Sequence, residues 1–168
     1  MFTLTLIRHA KSDWPANLTD FERPLAERGI NDAGVARLLL SDRSFDLALV
    51  SAAARTRATA DLLNLNCASR RELHEIYEAP PGTLLEIVNK QSVSSLVLVG
   101  HSPGMPMLSW YFTKNRDSES AQRLRLKFPT LGIATLKSDK PFSEWGEGAA
   151  ELLSFEVPRF DALSSDDD

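Results

Sequence analysis

The segment Thr3-Leu4-Thr5-Leu6-Ile7, followed at once by Arg8-His9, decides the fold expected for this chain. Its leucine and β-branched residues are typical of a buried strand that ends where the polar pair begins. Two shorter apolar runs, residues 47–50 and 96–99, have the same character. Because continuous apolar strands suit a parallel sheet covered on both faces, the three runs predict an α/β protein.

Helical patterns separate these strands, as the crossovers of a parallel sheet require. The apolar spacing predicts helices over residues 25–40 and 82–90 and a further helix after Pro103. Ser51 is predicted to cap a helix that runs to about residue 65.

The last third of the chain departs from this alternation. Residues 132–136 and 152–157 have the character of strands joined without a convincing helix, so we expect them to extend one sheet edge in antiparallel fashion. Alternating basic and apolar residues over 123–128 favour a half-exposed strand. The expected architecture is a three-layer α/β/α fold with a mainly parallel sheet.

Composition and charge describe one globular domain with an acidic end. The chain has 168 residues, 43% of them hydrophobic, and a formal net charge of −4. The last eight residues hold four aspartates and no basic residue, which leaves 19 charges of each sign in the rest. We therefore expect a single domain over residues 1–160 and a disordered acidic tail over residues 161–168. The total charge gives no basic footprint, so no nucleic-acid partner is expected.

Cysteine usage and hydropathy exclude several other classes. Cys67 is the only cysteine, which excludes a disulfide framework and a thiolate metal site. No apolar run approaches the ~20 residues that cross a bilayer, and the first residues lack the basic region of a signal peptide. We expect a cytoplasmic protein with no membrane partner.

The residues at the predicted strand ends carry the chemistry. The first strand leads into Arg8 and His9, the second into Ser51 with Arg55 one helical turn later, and the third into His101. Because ligands of open α/β sheets bind beyond the carboxyl ends of the strands, we expect these side chains to share one site. Guanidinium groups bind phosphate oxygens in a bidentate manner, and a neutral imidazole can attack phosphorus. The pattern predicts phosphoryl chemistry with no metal or other cofactor.

Two other chemistries fit these residues less well. A metal held by His9 and His101 would meet two arginines and no carboxylate at the strand ends. Gly100-His101-Ser102-Pro103-Gly104 matches the G-x-S-x-G elbow of serine hydrolases, but Pro103 lacks the N–H that the oxyanion hole requires, and no histidine follows His101. A protonated His101 would instead stabilise the charge of a phosphoryl transition state.

Three motifs resemble those of the histidine phosphatase superfamily, whose histidine becomes phosphorylated. The motifs are Leu6-Ile7-Arg8-His9-Ala10, Ser51-Ala52-Ala53-Ala54-Arg55-Thr56 and Val97-Leu98-Val99-Gly100-His101, and the match covers most of residues 1–112. The short chain, with Arg8-His9-Ala10-Lys11-Ser12 and Arg23-Pro24-Leu25, is most similar to the SixA-type phosphohistidine phosphatase branch.

The resemblance implies a phosphoglycerate mutase-like fold with His9 as the nucleophile. It places Arg8, Arg55 and His101 in the phosphate pocket, with Arg23 as a further phosphate ligand. Ser102, next to His101, is expected to contact the substrate.

This chain departs from the family pattern at several positions, and its general acid has two candidates. Ala10 stands where glycine is commoner, and Pro15 stands where many members carry a pocket asparagine. Members that act on sugar or alcohol phosphates use a carboxylic acid after the third strand region, where this chain offers Glu75 and, as second choice, Glu78. An alkoxide, whose conjugate acid has a pKa near ~15.7, needs that proton, whereas imidazole, with a pKa of ~6.5, leaves more readily. A phosphohistidine substrate therefore tolerates a weak or absent acid.

The sequence thus predicts a metal-independent phosphatase that works through a covalent phosphohistidine at His9, acting on phosphohistidine in a phosphorylated protein. A phosphatase of small phosphate esters or nucleotide-derived metabolites is the first alternative, and it would require Glu75 or Glu78 as an acid. A non-catalytic module that binds phosphate or phosphoprotein is the second. Binding alone would need the arginines but not a nucleophilic histidine.

Overall fold

A computed structural model describes residues 1–161, which form a six-stranded sheet with helices on both faces. The strands lie in the order β3-β2-β4-β1-β5-β6. Their bounds are β1 Phe2–Arg8, β2 Ser44–Ser51, β3 Asn66–Leu73, β4 Ser95–Gly100, β5 Ile133–Ser138 and β6 Glu151–Glu156. The helices are α1 Glu27–Leu40, α2 Ala54–Leu63, α3 Pro81–Asn89, α4 Gly104–Phe112 and α5 Glu119–Leu126, with 3-10 turns at Asp20–Glu22, His74–Ile76 and Phe142–Glu144. Apart from Asp161, the expected acidic tail lies outside the described residues.

The sheet has a parallel part and an antiparallel edge. β4 pairs in parallel with β1 and β2, and β2 pairs in parallel with β3. β5 pairs antiparallel with β1, and β6 pairs antiparallel with β5. The predicted mainly parallel sheet with an antiparallel edge is therefore confirmed. The register that pairs Arg8 with Gly100 brings the carboxyl ends of β1 and β4 side by side.

Side chains of the central strands pack into two separate cores. Leu4 and Leu6 of β1 belong to a cluster that includes residues of α3, α4 and α5. Ile7 belongs to a second cluster, with residues of α1 and α2. All three side chains are fully buried. Burial on both faces explains why the strand is a continuous apolar run, and it fixes the strand end from which His9 projects.

No hydrophobic pattern in the sequence predicts strand β3. It lies at the edge of the sheet, where its one neighbour among the described strands is β2. Six of its eight residues are exposed, so neither an apolar run nor an alternation marks it.

Two local predictions are wrong. The half-exposed strand expected over residues 123–128 is mostly α5, whose first turn is capped by Ser118 Oγ accepting from the Ala121 N–H at 3.2 Å. Leu124 is buried whereas Leu126 is 86% exposed, because the two residues lie on different sides of the helix. Ser51 does not cap α2: it is the last residue of β2, and α2 begins at Ala54.

Within residues 1–161, no helix combines the length and the apolar character needed to cross a membrane.

Candidate active site

The expected strand-end residues meet at one edge of the sheet. His9 and His101 follow the adjacent strands β1 and β4, and their ring centroids lie 5.4 Å apart. Ser51, at the end of β2, lies with its Oγ 2.8 Å from His101 Nε2. Arg55 stands in the first turn of α2 and is buried. The structure thus brings together residues that are far apart in the sequence.

His9 is held as a neutral imidazole with one free nitrogen. Its Nδ1 lies 2.7 Å from the carbonyl oxygen of Ala10, which can only accept, so Nδ1–H donates and Nε2 carries the lone pair. Burial lowers the pKa of His9 well below its ordinary value, against the hydrogen bond to Ala10 and with help from the charges around it. The Ala10 N–H in turn donates to Thr59 Oγ1 at 3.0 Å. Nε2 is therefore suited to attack phosphorus.

His101 is also neutral. Burial and, after it, the Arg55 charge lower the pKa of His101 to about 3. The protonated His101 considered from the sequence is therefore not the state that its surroundings in the chain favour. Its Nδ1 is buried and has no hydrogen-bond partner among residues 1–161. A bound phosphoryl dianion would favour the protonated ring, since an opposite charge nearby raises a histidine pKa.

Asp20, on the 3-10 turn Asp20–Glu22, joins the arginines of the pocket. Its carboxylate accepts from Arg23 Nε at 3.0 Å and from Arg55 Nη2 at 3.2 Å, and its main-chain oxygen accepts from Arg55 Nη1 at 2.8 Å. Arg55 Nε is buried without a hydrogen-bond partner in the described chain. The guanidinium has five N–H groups and gives two of them to Asp20, so others remain for an incoming anion.

Tyr77, just after the 3-10 turn His74–Ile76, completes this network. Its hydroxyl donates to Asp20 Oδ2 at 2.5 Å, and its ring lies edge-on to that of His101 with centroids 5.6 Å apart. The Tyr77 hydrogen bond, ahead of the charge of Arg55, lowers the pKa of Asp20. Burial and the Asp20 carboxylate raise the pKa of Tyr77 to about 12. At neutral pH Asp20 is therefore a carboxylate and Tyr77 a neutral phenol.

Arg23 and Arg8 are each held by hydrogen bonds to other parts of the chain, but they differ in burial. Arg23 is buried, donates from Nη1 to Ser12 Oγ at 2.9 Å, and lies under the exposed Trp14 ring, 3.4 Å from its centroid. Arg8, half-buried, donates from Nη1 to the Phe128 carbonyl at 3.0 Å. Both guanidinium groups are fixed before any ligand binds.

Gly29 positions the segment that carries Arg23. A Cβ at Gly29 would collide with the main-chain oxygen of Lys11, and the same oxygen accepts from the Ala26 N–H at 2.9 Å. Only glycine lets α1 approach the chain this closely. The segment between Lys11 and Ala26, which includes Asp20 and Arg23, is therefore tied back against the end of β1.

Three residues expected at the site are not built into this network. Glu75 and Glu78 are exposed and form no hydrogen bond or ion pair with other described residues. Ser102 is likewise exposed, between β4 and α4. Asp20, Tyr77 and the Ser51 hydroxyl take part instead. The sequence signal that could have revealed Asp20 is its position three residues before Arg23, which suits an ion pair on a turn.

Within residues 1–161, no three His, Cys, Asp or Glu side chains lie close enough together to hold a metal ion. The charged groups gathered at the pocket are instead three arginines and one aspartate, Arg8, Arg23, Arg55 and Asp20. This set suits a dianion such as a phosphoryl group.

Comparison with known proteins agrees with this chemistry. The sequence model of the histidine phosphatase superfamily (branch 1) matches residues 4–79. An uncharacterised protein of Mycobacterium tuberculosis is 37% identical over 159 residues, which cover 91% of this chain and 100% of that protein.

Solved structures show the same likeness over nearly the whole chain. A SixA protein of Agrobacterium tumefaciens, assigned as a phosphohistidine phosphatase, is 31% identical with a TM-score of 0.78 and covers 94% of this chain and 98% of that one. A SixA protein of Nakamurella multipartitia with the same assignment is 28% identical with a TM-score of 0.83, covering 94% of this chain and 96% of that one. These likenesses confirm the phosphoglycerate mutase-like α/β fold implied by the motifs.

Proposed function

Because this chain belongs to the histidine phosphatase superfamily, in its SixA-type branch, and is therefore a phosphatase, we propose that it removes the phosphoryl group from phosphohistidine in a protein. The reaction runs through a covalent intermediate at His9. The observation that carries the proposal is the state of the His9 ring: Nδ1–H donates to the Ala10 carbonyl, and Nε2 carries a lone pair in a setting that includes the charges of Arg8 and Arg55.

The proposed reaction has two steps. In the first, His9 Nε2 forms a bond to phosphorus while the bond from phosphorus to the substrate's ring nitrogen breaks, and the substrate histidine leaves with that electron pair. In the second, water attacks the phosphohistidine at His9, giving inorganic phosphate and restoring the free ring. Arg8 and Arg55 stabilise the negative oxygens in both steps, and the neutral His101 donates a hydrogen bond from its ring N–H as charge develops.

The absence of a built-in acid favours a P–N over a P–O substrate. Among the described residues, the carboxyl joined to the pocket arginines is that of Asp20, and its pKa is lowered rather than raised. Such a group does not protonate a leaving alkoxide at neutral pH. Phosphohistidine needs no such proton when its ring is already protonated, because the ring leaves as neutral imidazole.

The test compares two substrates in three proteins. Wild type, Glu75→Gln and the control Glu86→Gln, an exposed glutamate of α3, are assayed with a phosphohistidine peptide and with p-nitrophenyl phosphate. We expect faster turnover of phosphohistidine, and no dependence of that turnover on Glu75. A preference for the ester that is lost in Glu75→Gln alone would favour the small-ester phosphatase. Stoichiometric phosphate binding without turnover of either compound would favour a binding module.

A further inference from the structure

Next to the buried pocket residues lie one carboxylate, that of Asp20, and a cluster of three partly exposed or exposed rings, those of Phe21, Tyr77 and His74. We call this region the mouth of the pocket. Asp20 and Phe21 are neighbours on the 3-10 turn Asp20–Glu22, and the Phe21 and Tyr77 rings meet edge to face with centroids 5.0 Å apart. Tyr77 links this pair to the buried His101 ring. Phe21, Tyr77 and Asp20 are each partly exposed, in contrast to His9, which is 6% exposed.

Asp20 retains acceptor capacity that the fold does not use. Its carboxylate accepts one bond each from Arg23, Arg55 and Tyr77. An ionised carboxylate offers about four acceptor positions. The side chain is 38% exposed, so the remaining position is open to a ligand at the mouth.

In-line transfer places the leaving group at this mouth. The attacking and leaving atoms lie on opposite sides of phosphorus. Because His9 attacks from the buried end of β1, the leaving group lies on the side open to solvent. Tyr77 and Asp20 contact His101 and Arg55 and are partly exposed, as is Phe21 against Tyr77, so we expect the leaving group to meet these three side chains.

We propose that Asp20, Phe21 and Tyr77 form a leaving-group subsite that binds a protonated imidazole ring. This inference rests on the proposed function, and it adds the residues that select the leaving group. The faces and edges of Phe21 and Tyr77 pack against the planar ring, as aromatic side chains do with organic cations. Asp20 accepts a hydrogen bond from the ring N–H that does not carry phosphorus.

The subsite gives Asp20 a role opposite to that of a general acid. A phosphohistidine ring protonated at its second nitrogen is an imidazolium. When the P–N bond breaks, the electron pair stays on the ring nitrogen that held phosphorus, and the ring leaves as neutral imidazole with its remaining proton on the second nitrogen. No proton moves from the enzyme. Asp20 favours the reactive cationic form of the substrate, which is consistent with a carboxyl whose pKa is lowered.

The test uses a substrate pair that differs in the leaving group. Acetyl phosphate also needs no acid, since its leaving carboxylate has a conjugate-acid pKa of about 4, but it has neither a ring nor a positive charge. In Asp20→Asn we expect the ratio of kcat/KM for a phosphohistidine peptide to that for acetyl phosphate to fall about tenfold or more, as for loss of a charge-assisted hydrogen bond. In Phe21→Leu, which keeps apolar volume but removes the ring, we expect the ratio to fall severalfold.

Matched controls are Asp42→Asn and Phe160→Leu, both exposed and outside the pocket network, and both are expected to keep the wild-type ratio. An equal loss with both substrates in Asp20→Asn, together with an unchanged ratio in Phe21→Leu, would overturn the subsite and leave Asp20 as a support for the arginines. Failure of the proposed function looks different: wild type would then cleave acetyl phosphate but not phosphohistidine.

Discussion

The pocket has two parts that the chain builds in different ways. We call Arg8, His9, Arg55 and His101 the floor, and Asp20, Phe21 and Tyr77 the rim. Three of the four floor side chains are buried, and the floor stands at the ends of β1 and β4 and in the first turn of α2. The rim stands on or beside two 3-10 turns and is partly exposed.

This difference separates the transfer of phosphate from the choice of leaving group. The floor is fixed by strands buried on both faces, so its residues keep one geometry whichever substrate enters. The rim is connected to the floor by two hydrogen bonds from Arg55 to Asp20, and the Tyr77 hydroxyl joins Asp20 within the rim. Changes in the floor are therefore expected to affect every substrate, whereas changes in the rim affect substrates unequally.

The largest expected effect comes from removing the floor nucleophile. In His9→Ala, kcat for every phosphorylated substrate is expected to fall by about 10⁴-fold or more, because no other group can take its place. Steady-state assays with a phosphohistidine peptide and with acetyl phosphate measure this. Thermal unfolding of the variant serves as the control for folding. A loss confined to one substrate would contradict the common role of the floor.

Arg55→Lys tests the residue that joins floor to rim. A lysine keeps the charge, but its single ammonium nitrogen lacks the planar fork of separate nitrogens with which Arg55 bonds to Asp20 at two points and also faces the phosphate. We expect kcat/KM to fall by about 10²-fold with both phosphohistidine and acetyl phosphate. The matched control is Arg57→Lys. Arg57 is exposed and lies two residues further along α2, and this variant should retain wild-type kinetics. A selective loss of phosphohistidine turnover would assign Arg55 to the rim instead.

Stability should fall as the pH falls below the ordinary histidine pKa. The folded-state pKa of His101 is lowered to about 3 from an ordinary 6.5, so below pH 6.5 the unfolded chain binds a proton that the folded chain does not. The free energy of unfolding therefore decreases from pH 6.5 toward 3, by about 2 kcal/mol for this histidine at pH 5.

Urea unfolding at pH 7 and pH 5 measures that decrease. His101→Gln should make it smaller, because one histidine whose pKa is lowered in the folded chain is then removed. A decrease that is identical in wild type and His101→Gln would show that the floor histidine does not stay neutral in the folded protein.

The smallest effect is expected from the rim hydroxyl. Tyr77→Phe keeps the ring but removes the hydrogen bond that lowers the pKa of Asp20. Asp20 then protonates at higher pH, so the acidic limb of kcat/KM for phosphohistidine should move upward, with about a threefold loss on that limb. Tyr111→Phe is the control. If the pH profile were unchanged in Tyr77→Phe as it is in Tyr111→Phe, the Asp20 carboxylate would not act on the leaving group.

The floor could be predicted from the sequence because it follows directly from strands that have a strong pattern. The apolar run before Arg8 and His9 and the run before His101 give both the strands and the positions where they end. Parallel pairing then brings the two histidines together.

The rim could not be predicted, because its residues lie on short turns without a periodic pattern. Asp20 and Tyr77 are 57 positions apart, and only the packed chain joins them. The same reason explains β3 and α5: an exposed edge strand has no apolar run, and an eight-residue helix with two buried side chains has a weak period. The family resemblance predicts Glu75 as the acid, whereas the structure places Asp20 among the pocket arginines.

The central claim, that His9 carries the phosphoryl group, is tested most directly by trapping the intermediate. The protein is mixed rapidly with a phosphohistidine peptide, quenched, and examined by intact-mass and peptide mass spectrometry under alkaline conditions, which preserve phosphohistidine. We expect one phosphoryl group per chain, located on His9, lost on mild acid treatment and absent from His9→Ala. Turnover without any phosphorylated chain, undiminished in His9→Ala, would contradict this claim.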